Sequence, residues 1–143
     1  MSLPLVLVLC TANACRSQMA EAILRQALNG RARVVSAGTR PQPRVATHAL
    51  EALRLAGLPT RDLRSKDVRL FLDQPIDLLV SVCDEARSDC PAFPRPVRRL
   101  HMPFRSPQGE PLESFVAVRE DIRQRLVPAV REALGLERDE GEA

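Results

Sequence analysis

The stretch that most constrains this chain runs from Leu3 to Leu28. Leu3–Leu9 is apolar apart from the interruption at Pro4, and reads as a buried parallel strand. The polar loop Cys10-Thr11-Ala12-Asn13-Ala14-Cys15-Arg16-Ser17 follows. Met19–Leu28 then reads as a helix with Ala20, Ile23, Leu24, Ala27 and Leu28 on one face, stopped by Asn29-Gly30. A strand that turns through a short loop into a helix N-terminus gathers backbone N–H groups at the positive end of a helix dipole. That arrangement suits a tetrahedral oxyanion held by Thr11, Ala12, Asn13, Ala14, Cys15, Arg16 and Ser17. Cys10 opens the loop beneath the anion, and the amides with Arg16 favour its thiolate. The Arg16 guanidinium can fork two oxygens, and Ser17 can donate its hydroxyl to the Cys10 sulfur. The bland reading is a small buried apolar residue at a strand end, since a lone C-x5-R is common by chance. The strand–loop–helix context weighs against it.

Further elements follow in alternation. Arg33–Ser36 is a short strand leading into Ala37-Gly38-Thr39, and a helix is predicted over Ala46–Ala56, with Ala46, Ala49, Leu50 and Leu53 inward. Leu63–Leu72 reads as loop and short helix. Ile76–Val82 is a strong strand, Val97–His101 a weaker one, and Met102–Pro111 a loop. Leu112–Leu134 is the last helix, with Phe115, Ile122, Leu126, Val130 and Ala133 as its apolar face. Pro128 is expected to kink or divide it. The expected organisation is a single catalytic domain over residues 1–136 and a charged tail over 137–143. Strands alternating with helices predict an α/β fold: a three-layer α/β/α arrangement around a four-stranded parallel sheet.

Composition excludes several classes. Net charge is +3, from 21 basic and 18 acidic residues, which is too mild to imply nucleic acid. The absence of Trp and Tyr leaves little for nucleobase stacking. Leu3–Leu9 with Ala12–Cys15 imitates a secretory signal, but no basic segment precedes it. No run reaches the ~18 apolar residues of a membrane helix. Four cysteines are too sparse for a secreted disulfide scaffold. A soluble, cytoplasmic, monomeric protein is the expectation.

Ligands of parallel sheets bind at the carboxyl ends of the strands. Cys10, Ser36, Cys83 and the loop after His101 each follow a strand, so a parallel sheet gathers them on one edge. Cys83 and Cys90 read blandly as two unrelated thiols. Only His48 and His101 could complete a metal site, which disfavours one. If residues 84–90 are helical, the two α-carbons stand ~10.5 Å apart at ~1.5 Å rise per residue. A disulfide needs roughly 4.4–6.8 Å, so that pair could bond only after unwinding.

The chain resembles the thioredoxin-coupled arsenate reductases, which share the low-molecular-weight tyrosine phosphatase fold. The resemblance rests on Cys10–Ser17, on Ser36-Ala37-Gly38-Thr39, on Val82-Cys83-Asp84-Glu85-Ala86, and on Cys90-Pro91. His101, Phe104 and Pro107 extend it. It implies reduction of arsenate, with phosphate or sulfate as analogues, through a Cys10, Cys83 and Cys90 relay reset by thioredoxin or another thiol donor. It requires no cofactor, but implies a potassium ion at Asn13, Glu21, Ser36, Ser65 and Asp67. An ordinary hydrogen-bond network around Asn13 accounts for those residues equally well. Two departures stand out. Ser106 occupies the position of an aspartate general acid, so either Glu110 or Glu113 substitutes or the step runs unassisted and slower, and Ala12 replaces a glycine. A phosphatase of the same fold is the second reading, and a non-catalytic oxyanion-binding or redox-sensing protein the third.

Overall fold

A computed structural model describes residues 2–136, so the expected tail over 137–143 lies outside the described residues. Four strands, β1 (Leu5–Cys10), β2 (Arg33–Gly38), β3 (Leu78–Ser81) and β4 (Arg99–His101), form one parallel sheet in the order β2-β1-β3-β4. Every residue of β1 and β3 is buried, as befits central strands covered on both faces. The helices are α1 (Arg16–Leu28), α2 (Thr47–Leu55), α3 (Asp84–Asp89) and α4 (Leu112–Leu134), with a 3-10 turn over Val68–Phe71. α1 packs on β1, β2, α2 and α4, whereas α3 lies against β1 and β3. The core joins both sets through Leu7, Leu9, Leu24, Leu79, Ile122 and Leu126.

Several boundaries depart from the periodicity. β1 extends through Cys10, which pairs with Gly38 of β2, so the cysteine is the last residue of the ladder. α1 begins at Arg16 rather than Met19. Its first turn is polar yet buried at Ser17 and Gln18, because both side chains bond within the preceding loop. α4 keeps its expected span and is not divided at Pro128. Pro128 is exposed, so the Gln124 carbonyl deprived of its helical partner lies on the watery face while Leu126, Val127 and Val130 stay packed. Among the described residues, no helix is long and apolar enough to cross a membrane.

The connection from β1 goes to β2 on one side, while β3 lies on the other. Strand order therefore reverses between β1 and β3, and the crevice outside their carboxyl ends is where such sheets bind ligands. Cys10 ends β1, and Cys83 follows β3 by two residues.

Candidate active site

The loop after β1 is built outward from its carbonyls. The Cys10, Thr11, Ala12 and Ala14 oxygens accept from the N–H groups of Thr39, Arg40, Gln42 and Ala46, at 2.8–3.2 Å. The Asn13 oxygen accepts from Gln18 Nε2 at 2.8 Å, and the Cys15 oxygen from the Met19 N–H at 2.9 Å. A planar trans peptide sets each N–H opposite the preceding carbonyl, so drawing these oxygens outward turns the following amides into the loop. The result is an anion nest at the start of α1. Its tight turn falls at Asn13, with φ +49°, a conformation asparagine tolerates. Ala12 does not adopt positive φ, so the alanine introduces no backbone strain there.

Cys10 is buried at the floor of the nest. Its Sγ accepts the Asn13 N–H at 3.3 Å and lies 2.8 Å from Ser17 Oγ. Asn13 Nδ2 donates to Ser17 Oγ at 2.7 Å and to Ser36 Oγ at 2.9 Å, and Ser36 Oγ donates to Glu21 Oε1 at 2.7 Å. Ser17 accepts from Asn13 and keeps its own hydroxyl proton available to the cysteine sulfur beside it. Arg16 closes the loop as predicted, and its NH1 donates to the Phe104 carbonyl at 3.0 Å, tying the guanidinium to the segment after β4. That bond uses one of the five guanidinium N–H donors and leaves four for other acceptors. Cys15 faces the core, and burial, then the neighbouring Cys10, push its thiol up to about 12.

Cys83 stands across the crevice, its Sγ 3.3 Å from Thr11 Oγ1. It caps the start of α3 and Cys90 caps the end, so the segment between them is helical. Cys90 is half-buried, with Arg99 NH1 3.9 Å from its sulfur. All four thiols are free. α3 is tethered by Asp84 to His101 Nε2 at 2.7 Å, with His101 Nδ1 in turn 2.6 Å from Ser81 Oγ, and by Asp89 to Arg40 at 3.4 Å.

Ser106 is exposed and precedes the turn at Gln108-Gly109, its Oγ accepting the Gln108 N–H at 3.4 Å. Arg105 binds the Glu110 carboxylate through both oxygens at 2.7 and 2.8 Å and holds it below the usual range, so it stays ionised. Glu113 lies in the first turn of α4.

Most of the oxygens expected around a potassium ion carry a hydrogen bond within the protein, whereas the buried Glu21 Oε2 accepts none. Asn13 Oδ1 accepts the Lys66 N–H at 2.8 Å, Ser65 Oγ donates to the Ala12 oxygen at 3.5 Å, and Asp67 Oδ1 caps the 3-10 turn through the Arg69 N–H at 2.9 Å. Glu21, fully buried, faces two cations: Arg25 at 2.9 Å and the Lys66 ammonium at 3.6 Å. An ammonium, that of Lys66, stands beside this carboxylate.

Sequence reasoning missed Gln18, which clamps the Asn13 and Arg64 carbonyls, and Lys66. It also missed residues 39–46, which hold the loop's carbonyls. A glutamine on an otherwise apolar face was the one signal available for the first; nothing local marks Lys66.

A buried cysteine beneath an amide nest, closed by arginine at a helix start, defines a protein of the cysteine-dependent oxyanion class. The family model for low molecular weight phosphotyrosine protein phosphatase matches residues 5–129, and the chain belongs to that family. It is 36% identical over 118 residues to a protein named arsenate reductase from Bacillus cereus (strain 03BB102), covering 82% of this chain and 87% of the relative. A crystal structure of arsenate reductase from Archaeoglobus fulgidus superposes with a TM-score of 0.75 at 27% identity, covering 87% of this chain and 98% of that one. A low molecular weight protein tyrosine phosphatase from T. tengcongensis superposes with a TM-score of 0.75 at 26% identity, over 90% and 98%.

Proposed function

We propose that this chain is an arsenate reductase running a three-cysteine relay. What supports the reading is Cys83, its sulfur 3.3 Å from the hydroxyl of Thr11 in the Cys10 loop and joined through a short helix, exposed but for Ala86, to Cys90. A phosphatase gives neither thiol a duty. Cys10 thiolate attacks arsenate in the nest, an As–O bond breaks, and water leaves after protonation. Cys83 thiolate attacks the Cys10 sulfur. The S–As bond pair passes to arsenic, arsenite departs, and a Cys10–Cys83 disulfide remains. Cys90 thiolate then attacks Cys83, freeing Cys10 and leaving Cys83–Cys90. Thioredoxin or another dithiol donor takes up that disulfide by exchange.

Phosphate-ester hydrolysis is the lesser reading, because the leaving alkoxide needs an acid. Serine at position 106 is too weak, and Glu110 is locked to Arg105. The test is arsenate-dependent turnover with a thioredoxin system, beside hydrolysis of a chromogenic phosphate ester. Arsenite formation with little ester hydrolysis is expected; the reverse pattern makes the chain a phosphatase.

A further inference from the structure

The buried Glu21 lies at the far end of the hydrogen-bond chain that ends on the nucleophile. From it the bonds run through Ser36, Asn13 and Ser17 to the Cys10 sulfur. A fully buried carboxylate is tolerated only when paired, and an unbalanced negative charge beside an anion site opposes oxyanion binding. Two cations balance it. Arg25 reaches Oε2 from the same helix, with a side chain 41% exposed and therefore well screened. Lys66 reaches Oε1 from the segment before the 3-10 turn and is only 12% exposed, so it is the cation screened least by water. Its ammonium also donates to the Arg64 carbonyl at 2.6 Å.

Lys66 is fixed in place by its own backbone. Its N–H donates to Asn13 Oδ1 at 2.8 Å, and its carbonyl accepts the Gly38 N–H at 2.8 Å. The residue thus sets the orientation of the Asn13 amide and balances the charge behind it.

We propose that Lys66 is a positioning residue for the oxyanion loop, its ammonium acting as a tethered cation that makes oxyanion binding independent of potassium. The inference rests on the oxyanion-site part of the functional reading and not on the reductase chemistry. Its physical basis is effective concentration: an ammonium carried on the same chain is present at every salt composition, whereas a free monovalent ion must be captured.

The experiment is sulfate titration by calorimetry in potassium chloride and in tetramethylammonium chloride at equal ionic strength. Wild type is expected to bind sulfate with the same affinity in both. Lys66→Met is expected to bind on the order of tenfold more weakly in tetramethylammonium, the scale of one uncompensated charge across a protein dielectric. Potassium should restore much of that loss, a rescue that a merely structural lysine would not show. The double variant Glu21→Gln with Lys66→Met, lacking both charges, is expected to be indifferent to the salt. Wild-type binding that strengthens in potassium would overturn the inference, and needs no variant to fold. So would Lys66→Met with unchanged affinity, or with a loss that potassium leaves in place. Failure of wild type to bind sulfate in either salt sinks the oxyanion site itself. Absent arsenate turnover with intact sulfate binding sinks only the reductase reading.

Discussion

Burial keeps Cys15 a thiol at neutral pH, while the Asn13 amide and the Ser17 hydroxyl both address Cys10. Two cysteines of one loop therefore separate into an apolar packing group and the thiol proposed as nucleophile. Cys15→Ala should retain substantial turnover and lose about 1 kcal/mol of stability, as for a small buried side chain. Cys10→Ser should bind oxyanion without turnover. Activity assays beside thermal melts check the pair; a folded but inactive Cys15→Ala would move the relay. Gly38 is the other decisive single residue. A Cβ there would stand 2.6 Å from the Thr11 carbonyl oxygen and 3.0 Å from Asn13 Cβ, and the nearer obstacle is backbone. Gly38→Ala should cost about 1–3 kcal/mol, the usual range for overpacking, and weaken oxyanion binding as the loop shifts. Denaturant unfolding and sulfate titration measure both effects. An unchanged variant would mean that the contact between β2 and the loop is loose.

At the scale of elements, the proposed relay turns on α3. It presents Asp84, Glu85, Arg87, Ser88 and Asp89 to water and buries only Ala86. Exposed ion pairs such as Arg40–Asp89 contribute about 0–1 kcal/mol, so little opposes unwinding. As a helix it holds the flanking α-carbons ~10.5 Å apart, beyond the reach of a disulfide. Cys90→Ser should release arsenite once and stop at Cys10–Cys83, and Cys83→Ser should release none. Wild type should end at Cys83–Cys90 with residues 84–90 protease-sensitive only when oxidised. Peptide mapping after one arsenate exposure without reductant, with limited proteolysis alongside, reads all three. Four free thiols in a wild type that binds arsenate would contradict the relay. The sequence displayed the cysteine spacing and the weak apolar content of this segment. Its helix was legible only as a condition, because six mostly polar residues carry almost no periodicity.

Across the whole molecule, the nest is where separate parts of the chain meet. β1 and α1 supply its backbone, residues 39–46 turn its carbonyls outward, Lys66 braces Asn13, and Phe104 receives Arg16. An anion that fills the nest should therefore stabilise the global fold. At a sulfate concentration a hundredfold above its dissociation constant, linkage contributes about 2.7 kcal/mol. For a chain of this size that should raise the melting temperature on the order of 5–10 °C. Arg16→Lys should abolish most of the rise, because an ammonium cannot fork two oxygens. Melting curves with and without sulfate test it; an equal rise in both proteins would place the anion elsewhere.

By itself the sequence determined the alternation of strands and helices, the nest between Cys10 and Arg16, and the gathering of Cys10 and Cys83 at one sheet edge. Each follows from local apolar pattern plus the rule that parallel sheets bind at their carboxyl ends. Only the tertiary structure decided the rest: the strand order that sets Cys83 beside Thr11, the outward pull on the loop's carbonyls, the pairing of Glu110 with Arg105, and the ammonium of Lys66 beside Glu21. The physical reason is that hydrogen-bond direction and charge pairing depend on the relative placement of segments far apart in the chain. Apolar periodicity encodes which face of an element is buried, and leaves unwritten which distant polar group will meet it there.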